Sequence, residues 1–262
     1  MGIIVGNIIA IYRKELRSYF VSPLAYVIAG VFWLLSGIFF LFILQGVTAD
    51  VALRDQTGAT APIDVPYEIL SNFLWWLAIL SQFLLPMLSM GLYSEERKRG
   101  TLELLATSPV TNWAVAAGKL LGVLTFYITM VLPLMVYEAI ALSASDPPVS
   151  PTLMLVGHLG LVLMGAAILS IGMFLSSLTD STILAAILTF AVVLLLLVVN
   201  WIAADVSGPV GEAIAHLSLL RHYTTLVQGI IDTSGLILFG SYIVLGIFLT
   251  AQAIEAFRFQ RS

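Results

Sequence analysis

Ionisable side chains inside apolar sequence are the first candidates for chemistry, because a charge within a membrane is costly and usually serves a function. Glu138 and His158 are two such residues, each within a long apolar run. Proton-coupled transport would need a series of such residues through the bilayer. Each residue also has a structural interpretation. Glu138 would be a carboxylate near water at the level of the lipid headgroups, and His158 would form a hydrogen bond with another helix. We favour these two structural interpretations.

Most catalytic sites are excluded by residue types that the sequence lacks. The chain has no cysteine, which excludes disulfides, thiolate metal sites and cysteine nucleophiles. Gly118 and Lys119 do not belong to a Walker A phosphate-binding loop, because Leu120 follows the lysine and Trp113 stands where the loop requires glycine. We therefore expect this chain to bind no nucleotide by such a loop.

One enzymatic interpretation is left, an intramembrane protease that pairs Ser81 or Ser170 with His158. Serine residues in membrane helices are usually packing or hydrogen-bonding residues, so we regard the chain as a non-enzyme. We expect no catalytic residue, no metal site and no cofactor of its own. We also expect no nucleic-acid partner, because the eleven Lys and Arg residues are spread over several short segments.

The composition predicts an all-α, polytopic membrane protein. Of the 262 residues, 60% are hydrophobic and 10% are charged, whereas soluble domains are about half apolar and about a quarter charged. A helix needs about 20 apolar residues to cross a bilayer. We expect a single transmembrane domain over 1–262 with six spans, at about 24–45, 73–93, 113–142, 152–177, 183–202 and 236–256.

The orientation follows from the cations, since cytoplasmic loops of membrane proteins carry an excess of Lys and Arg. With six spans, one side collects all of the eleven cations except Arg54 and Arg221. We therefore expect a multi-pass protein of the inner, cytoplasmic membrane, with both termini and the 94–112 loop in the cytosol. Lys119 then indicates that the third helix begins outside the bilayer.

Two further segments are helical in pattern but do not span. Residues 3–20 have an apolar face and carry Arg13, Lys14 and Arg17, which predicts an interfacial helix whose cations meet anionic headgroups. An ordinary cytosolic start to the first span is the alternative. Residues 203–235 are too polar to span and too apolar for a free loop, and we expect a re-entrant or interfacial helix pair on the outer side.

The most polar stretch, 93–112, predicts a short helix over 100–108 with a defined start and a defined end. Gly100 should end the helix that leaves the second span, and Thr101 is a suitable N-cap for the next one. Pro109 should end that helix, and Thr111 can cap the third span. Leucines on such a helix suggest a surface for a partner. The alternative is a solvated loop that only orients the chain.

The same stretch resembles the cytosolic loop of type-2 ABC exporter permeases. The residues that match the motif of that family are Glu96, Gly100, Thr101, Glu103, Leu105 and Pro109. Residues 13–27 resemble the start of these permeases, and 217–242 resemble their last outer segment, with Gly229 and Asp232 on its core. The likeness is closest to the branch that includes permeases of gliding motility and of nitrous-oxide-reductase maturation.

The resemblance implies a coupling helix in the first cytosolic loop, which would dock an ABC ATPase subunit that binds ATP and Mg. Two copies of the chain would pair as a homodimer, and a periplasmic accessory subunit is a further candidate partner. The implied coupling residues are Glu96, Gly100, Thr101, Leu102, Glu103, Leu104, Leu105, Ala106, Thr107 and Pro109. The implied outer segment includes Arg221, His222, Gly229 and Asp232.

Three functions are compatible with these observations. The first is a permease subunit that couples ATP hydrolysis to export, and the second is a permease that transmits force to a periplasmic partner without moving a substrate. The third is a secondary transporter or channel. An ion-coupled transporter usually has a series of Asp, Glu, His or Arg residues through the bilayer. The spans lack such a series, which argues against a secondary transporter. Because the outer loop 46–72 is short, no outer domain of the chain can select a substrate.

Overall fold

The computed structural model describes residues 2–58, 64–102, 110–145, 149–206 and 208–259, without the side chains at 2–3, 200, 203–205 and 258–259. Within these residues the secondary structure is helical and contains no strand. Within the described ranges the structure has the helices α1 (Gly2–Val21), α2 (Pro23–Thr57), α3 (Val65–Ser89), α4 (Gly91–Lys98), α5 (Asn112–Ser143), α6 (Pro151–Leu178), α7 (Thr182–Asp205), α8 (Pro209–His216), α9 (Leu219–Val227) and α10 (Thr233–Phe259).

Six of these elements are long and apolar enough to cross a membrane: α2, α3 with α4, α5, α6, α7 and α10. The expected all-α, polytopic membrane protein is therefore confirmed. α2 continues past the predicted limit of 45 because its backbone hydrogen bonds extend to a left-handed cap at Gly58 (φ 68°). α3 begins at Val65, before the predicted residue 73. The Asp64 carboxylate caps this start by accepting a hydrogen bond from the Tyr67 N–H at 3.1 Å.

The bundle is built around α6, which packs against α3, α4, α5, α7, α9 and α10. In the apolar window of α6, 67% of the residues are buried, compared with 17% in that of α7. Leu161, Leu169 and Met173 on α6 are fully enclosed. The core thus lies along α6, and α7 presents most of its apolar surface outward.

The second span is broken between α3 and α4, and a side chain of α6 fills the break. The Ser176 hydroxyl donates to the Met90 carbonyl at 2.7 Å. The same oxygen accepts from the backbone N–H groups of Tyr93 and Ser94, both at 3.1 Å. Backbone groups at a break inside a membrane protein need such partners, so Ser176 fixes the direction in which α4 leaves α3.

α1 packs directly along α5, and two glycines permit the close contact. A Cβ atom on Gly122 would lie 2.7 Å from Cβ of Glu15, and one on Gly118 would lie 2.9 Å from Cβ of Ile11. Lys14 and Arg17 of the same helix are exposed. The predicted helix over 3–20 therefore exists, and its inner face rests on protein.

The outer segment contains two short helices, α8 and α9. Tyr223 of α9 donates a hydrogen bond of 2.7 Å to the Leu74 carbonyl of α3, and its ring also packs beside Gly160 of α6. Gly229 (φ 78°) ends α9 before the chain enters α10. α9 is thus attached to the core of the bundle.

Candidate functional site

α4 ends as the sequence predicts, with Gly100 in a left-handed conformation (φ 69°). The Gly100 N–H donates to the Arg97 carbonyl at 3.1 Å, and the Thr101 N–H donates to the Glu96 carbonyl at 3.0 Å. This pair of bonds is a Schellman motif, which satisfies carbonyls that a helix end leaves open. The Thr111 hydroxyl caps α5 by accepting from the Ala114 N–H, also as predicted.

The structure describes four of the expected coupling residues: Glu96, Gly100, Thr101 and Leu102. Leu102 is only 2% exposed and packs in the hydrophobic core. The expectation that it is part of an exposed leucine surface is therefore wrong, because burial against the bundle stabilises this side chain better than exposure to water. The remaining expected coupling residues lie outside the described residues; they are Glu103, Leu104, Leu105, Ala106, Thr107 and Pro109.

Four charged side chains meet where α1, α4 and α5 converge, and we call them the ionic cluster: Lys14, Glu15, Glu96 and Lys119. The Lys119 Nζ atom lies 3.0 Å from Oε1 of Glu15 and 3.0 Å from Oε1 of Glu96. It also donates to the Leu92 carbonyl at 2.7 Å. Its side chain is 2% exposed. Protein rather than water surrounds this cation, although the sequence suggested that the helix begins outside the bilayer here.

The cluster reaches solvent at Lys14, whose side chain is 64% exposed. Its Nζ atom lies 3.1 Å from Oε1 of Glu96 and 3.5 Å from Oε1 of Glu15. Burial by itself lowers the pKa of Lys14, but the charges of Glu96 and Glu15 outweigh burial and raise it above its ordinary 10.5. Two carboxylates and two ammonium groups leave the cluster with no net charge, as a buried ionic site requires.

Arg97 ties the end of α4 to two other helices. Its guanidinium donates to the Ser177 carbonyl at 2.8 Å, near the C-terminus of α6. Its Cζ atom also lies 4.6 Å from the ring centroid of Phe257 on α10, a cation–π distance. The distribution of cations in the sequence predicts for Arg97 only a role in orienting the chain. It does not identify Glu15 and Lys119 as members of the ionic cluster. A lysine inside an apolar run is the signal that could have prompted a search for carboxylates.

The other cations of the predicted interfacial set, Arg13 and Arg17, are exposed on α1. They lie on the outward part of the helix, whereas Lys14 joins the ionic cluster. α1 therefore contributes the Glu15 carboxylate and the Lys14 ammonium group to the ionic cluster. The guanidinium groups of Arg13 and Arg17 are exposed outside the cluster.

Glu138 and His158 form a second buried contact, the outer pair, between α5 and α6. Oε2 of Glu138 lies 3.3 Å from Nε2 of His158. This is an ion-pair distance without hydrogen-bond geometry, and neither Glu138 oxygen has a hydrogen-bond partner among the described residues. The Glu138 side chain is fully buried. The interpretation of Glu138 as a carboxylate near water is therefore wrong, because neighbouring helices enclose it.

The serines considered for proteolysis do not contact His158. Ser81 shares a hydrogen bond of 2.7 Å with the Tyr127 hydroxyl. Ser170 donates to the carbonyls of Ala167 and Tyr242. His158 instead approaches the Met154 carbonyl through Nδ1, at 2.9 Å. Nothing in this geometry supports a serine–histidine nucleophile.

The expected outer-segment residues have local structural roles. The Asp232 carboxylate accepts from the N–H and the hydroxyl of Ser234 at the start of α10, and these hydrogen bonds lower its pKa. Nε2 of His222 lies 3.2 Å from the His216 carbonyl. Gly229 ends α9, and Arg221 is exposed. Across the part of the chain that the structure describes, no three His, Asp or Glu side chains group as metal ligands.

A family model described as "ABC-2 family transporter protein" matches residues 9–262. The chain belongs to this family. It is thus a multi-pass membrane protein with the role of a permease in an ABC transporter, and this membership implies an ABC ATPase as a partner. A comparison with curated proteins gives no match.

Proposed function

We propose that this ABC-2 permease is the membrane subunit of an exporter, in which a separate ATPase drives movement of a substrate across the membrane. One observation carries the proposal. The polar stretch that leaves the second span is attached to four other helices by ion pairs, a hydrogen bond and a cation–π contact. A segment that only oriented the chain would not need these contacts.

We propose that these contacts carry force into the bundle from the loop that begins at Thr101. Glu96 connects α4 to Lys119 on α5, and Lys119 in turn holds Glu15 on α1. Arg97 connects α4 to the ends of α6 and α10. Separating a buried ion from its partner is strongly unfavourable. Movement of the loop should therefore move these helix ends together.

The unequal burial of the spans supports a pair of permeases. Only 17% of the apolar window of α7 and 33% of that of α2 are buried, so these helices have surface left for a second copy or for lipid. We propose a homodimer in which each copy docks one ATPase subunit. The ATPase would supply the sites for ATP and Mg, and this chain would itself be no enzyme.

The proposed orientation follows the cation distribution. Both termini and the 94–112 loop would lie in the cytosol, and the protein would reside in the inner membrane. The ionic cluster would then lie at the cytosolic end of the bundle, next to the ATPase. The motif likeness also supports a place near the gliding-motility and nitrous-oxide-reductase-maturation branch.

The proposal is tested by replacing residues of the loop and measuring ATPase copurification and permease-stimulated ATP hydrolysis. We expect Leu105→Asp and Glu103→Lys to abolish both, because a docked surface tolerates neither a new charge nor a reversed one without a partner. Membrane insertion should stay normal, since neither change lies in a span.

The matched control is Lys98→Arg, which keeps the charge of an exposed side chain. It should bind and stimulate the ATPase as the unchanged chain does. Wild-type binding and stimulation in both Leu105→Asp and Glu103→Lys would refute the coupling role of this loop.

A further inference from the structure

A groove separates α1 from the junction of α3 and α4. It consists of two cavities of about 220 Å³ and about 560 Å³, and both are lined by Glu15, Ser18, Leu92 and Glu95. Their combined size is within the range of about 300–1,000 Å³ typical of small-molecule pockets. The shared lining places the two cavities next to each other along α1.

The larger cavity opens toward water. Its lining includes Lys14, Glu95 and Arg99, and all three side chains are exposed. The smaller cavity is lined by Leu24, Ala25, Ile28 and Met87, at the start of the first span and near the end of α3. Leu24 and Met87 are exposed on the outer surface of these helices. The groove therefore runs from a polar, hydrated end to the apolar surface that the spans present to lipid.

The charges at the polar end are balanced in sign, and the outermost pair is weakly engaged. The Arg99 guanidinium lies 3.6 Å from the Glu95 carboxylate, and both side chains are exposed, whereas Lys14 contacts Glu96 at 3.1 Å and Glu15 is held by Lys119 at 3.0 Å. An exposed pair such as Arg99 and Glu95 contributes little to stability and can exchange partners with a ligand. An anion alone would meet Glu15 and Glu95, and a cation alone would meet Lys14 and Arg99. A zwitterion satisfies both signs.

We propose that this groove binds one phospholipid with a phosphoethanolamine headgroup. Its phosphate would lie toward Lys14 and Arg99, since guanidinium and ammonium groups are strong phosphate donors. Its ammonium group would lie toward the exposed carboxylate of Glu95. Its acyl chains would follow Ile28 and Met87 into the bilayer. The lipid would join α1 to the junction of α3 and α4, and this inference does not depend on transport or on the ATPase.

The test uses the purified full chain in phosphatidylcholine nanodiscs that contain a small fraction of photoactivatable phosphatidylethanolamine, phosphatidylglycerol or phosphatidylcholine. Labelled peptides are then mapped by mass spectrometry. We expect phosphatidylethanolamine to label the segments around 14–28 and 87–99 more than the other two lipids. Glu95→Gln removes the negative partner of the headgroup, and Arg99→Gln removes a positive one. Each change should lower this labelling on the order of tenfold, because one charge-assisted hydrogen bond to the headgroup is lost.

Ser18→Trp fills the junction of the two cavities and should remove the labelling of the groove. Ser18 is exposed, so the larger side chain does not need to enter the core. Val21→Trp, also exposed on α1 but outside the groove, is the matched control and should label normally. Thermal unfolding of both variants establishes that they are folded.

Equal labelling in Ser18→Trp and the unchanged chain would overturn the proposal. A preference for phosphatidylglycerol would also overturn it, because it would show an anion site. Since the chain has no cysteine, Ser18→Cys provides a single thiol for a further test. Disulfide-linked dimers formed through this thiol would place a second copy in the groove and exclude the lipid.

Discussion

The ionic cluster and the outer pair are both buried polar contacts, but they are built differently. In the cluster, Lys119 has two carboxylates and a backbone carbonyl as partners, and Lys14 connects the site to water. In the outer pair, the Glu138 oxygens have no hydrogen-bond partner among the described residues, His158 lies 3.3 Å away, and both side chains are enclosed. The first arrangement gives a buried charge several partners of opposite sign, and the second gives the Glu138 carboxyl a single polar neighbour at 3.3 Å.

The hydrogen-bond pattern of His158 supports this distinction. Its Nδ1 faces the Met154 carbonyl, which can only accept, so Nδ1 carries a proton. Nε2, which carries no proton in a neutral ring, then lies 3.3 Å from Oε2 of Glu138 without hydrogen-bond geometry. The comparison indicates that loss of a charge should be severe in the cluster and mild in the outer pair.

The largest effect is expected for Lys119→Met. This change removes the common partner of Glu15 and Glu96 and leaves two carboxylates close together, which should lower the free energy of unfolding by about 3–5 kcal/mol. Denaturant or thermal unfolding in detergent measures it. Lys98→Met is the control, because Lys98 is exposed, and such surface changes stay within about 0.5 kcal/mol. Equal stability of the two variants would show that Lys119 contributes no more to stability than an exposed lysine.

A smaller effect is expected for His158→Phe, which leaves the buried Glu138 carboxyl without its neighbour. An unsatisfied buried polar group costs about 1–3 kcal/mol, and unfolding of the variant in detergent measures this loss. Leu159→Phe on the exposed side of the same helix serves as the control. If His158→Phe is as stable as that control, the contact with Glu138 contributes nothing.

The next comparison makes the same substitution at both sites. Glu138→Gln should change the free energy of unfolding by about 1 kcal/mol or less, because the Glu138 oxygens make no hydrogen bond to the described residues that the change would break, and the amide has nearly the same size. Glu15→Gln should destabilise more, since it removes a charge that Lys119 contacts at 3.0 Å. Unfolding measured for both variants in one detergent gives the difference directly. A larger loss at Glu138 would show that the outer pair is the permanently charged site.

The smallest effect is expected for Lys14→Met at the exposed edge of the cluster, about 0–1 kcal/mol and weaker in high salt. The raised pKa of Lys14 also fixes a sign. Its contribution is fully present below pH 10.5 and is lost as the pH rises through the higher value of the folded chain. Unfolding measured across alkaline pH should therefore show the Lys14→Met variant losing less stability than the unchanged chain.

The sequence was sufficient to predict features that depend on neighbouring residues. Gly100 and Thr111 act at helix ends, and the number of spans follows from the lengths of apolar runs. The ionic cluster could not be predicted in this way, because Glu15 and Lys119 are 104 residues apart and meet only through the packing of α1 on α5. Glu138 was misread for the same reason, since only the neighbouring helices show that water is excluded there.

The contact of Arg97 with Phe257 also has a consequence for synthesis. Chains are made from the N-terminus at about 5–20 residues per second, so the second span is complete long before the last helix is translated. The guanidinium of Arg97 cannot stack on Phe257 until α10 has been inserted. A nascent or truncated chain therefore lacks one anchor of the polar loop. Correct attachment of that loop reports that translation of the permease has reached its final helix.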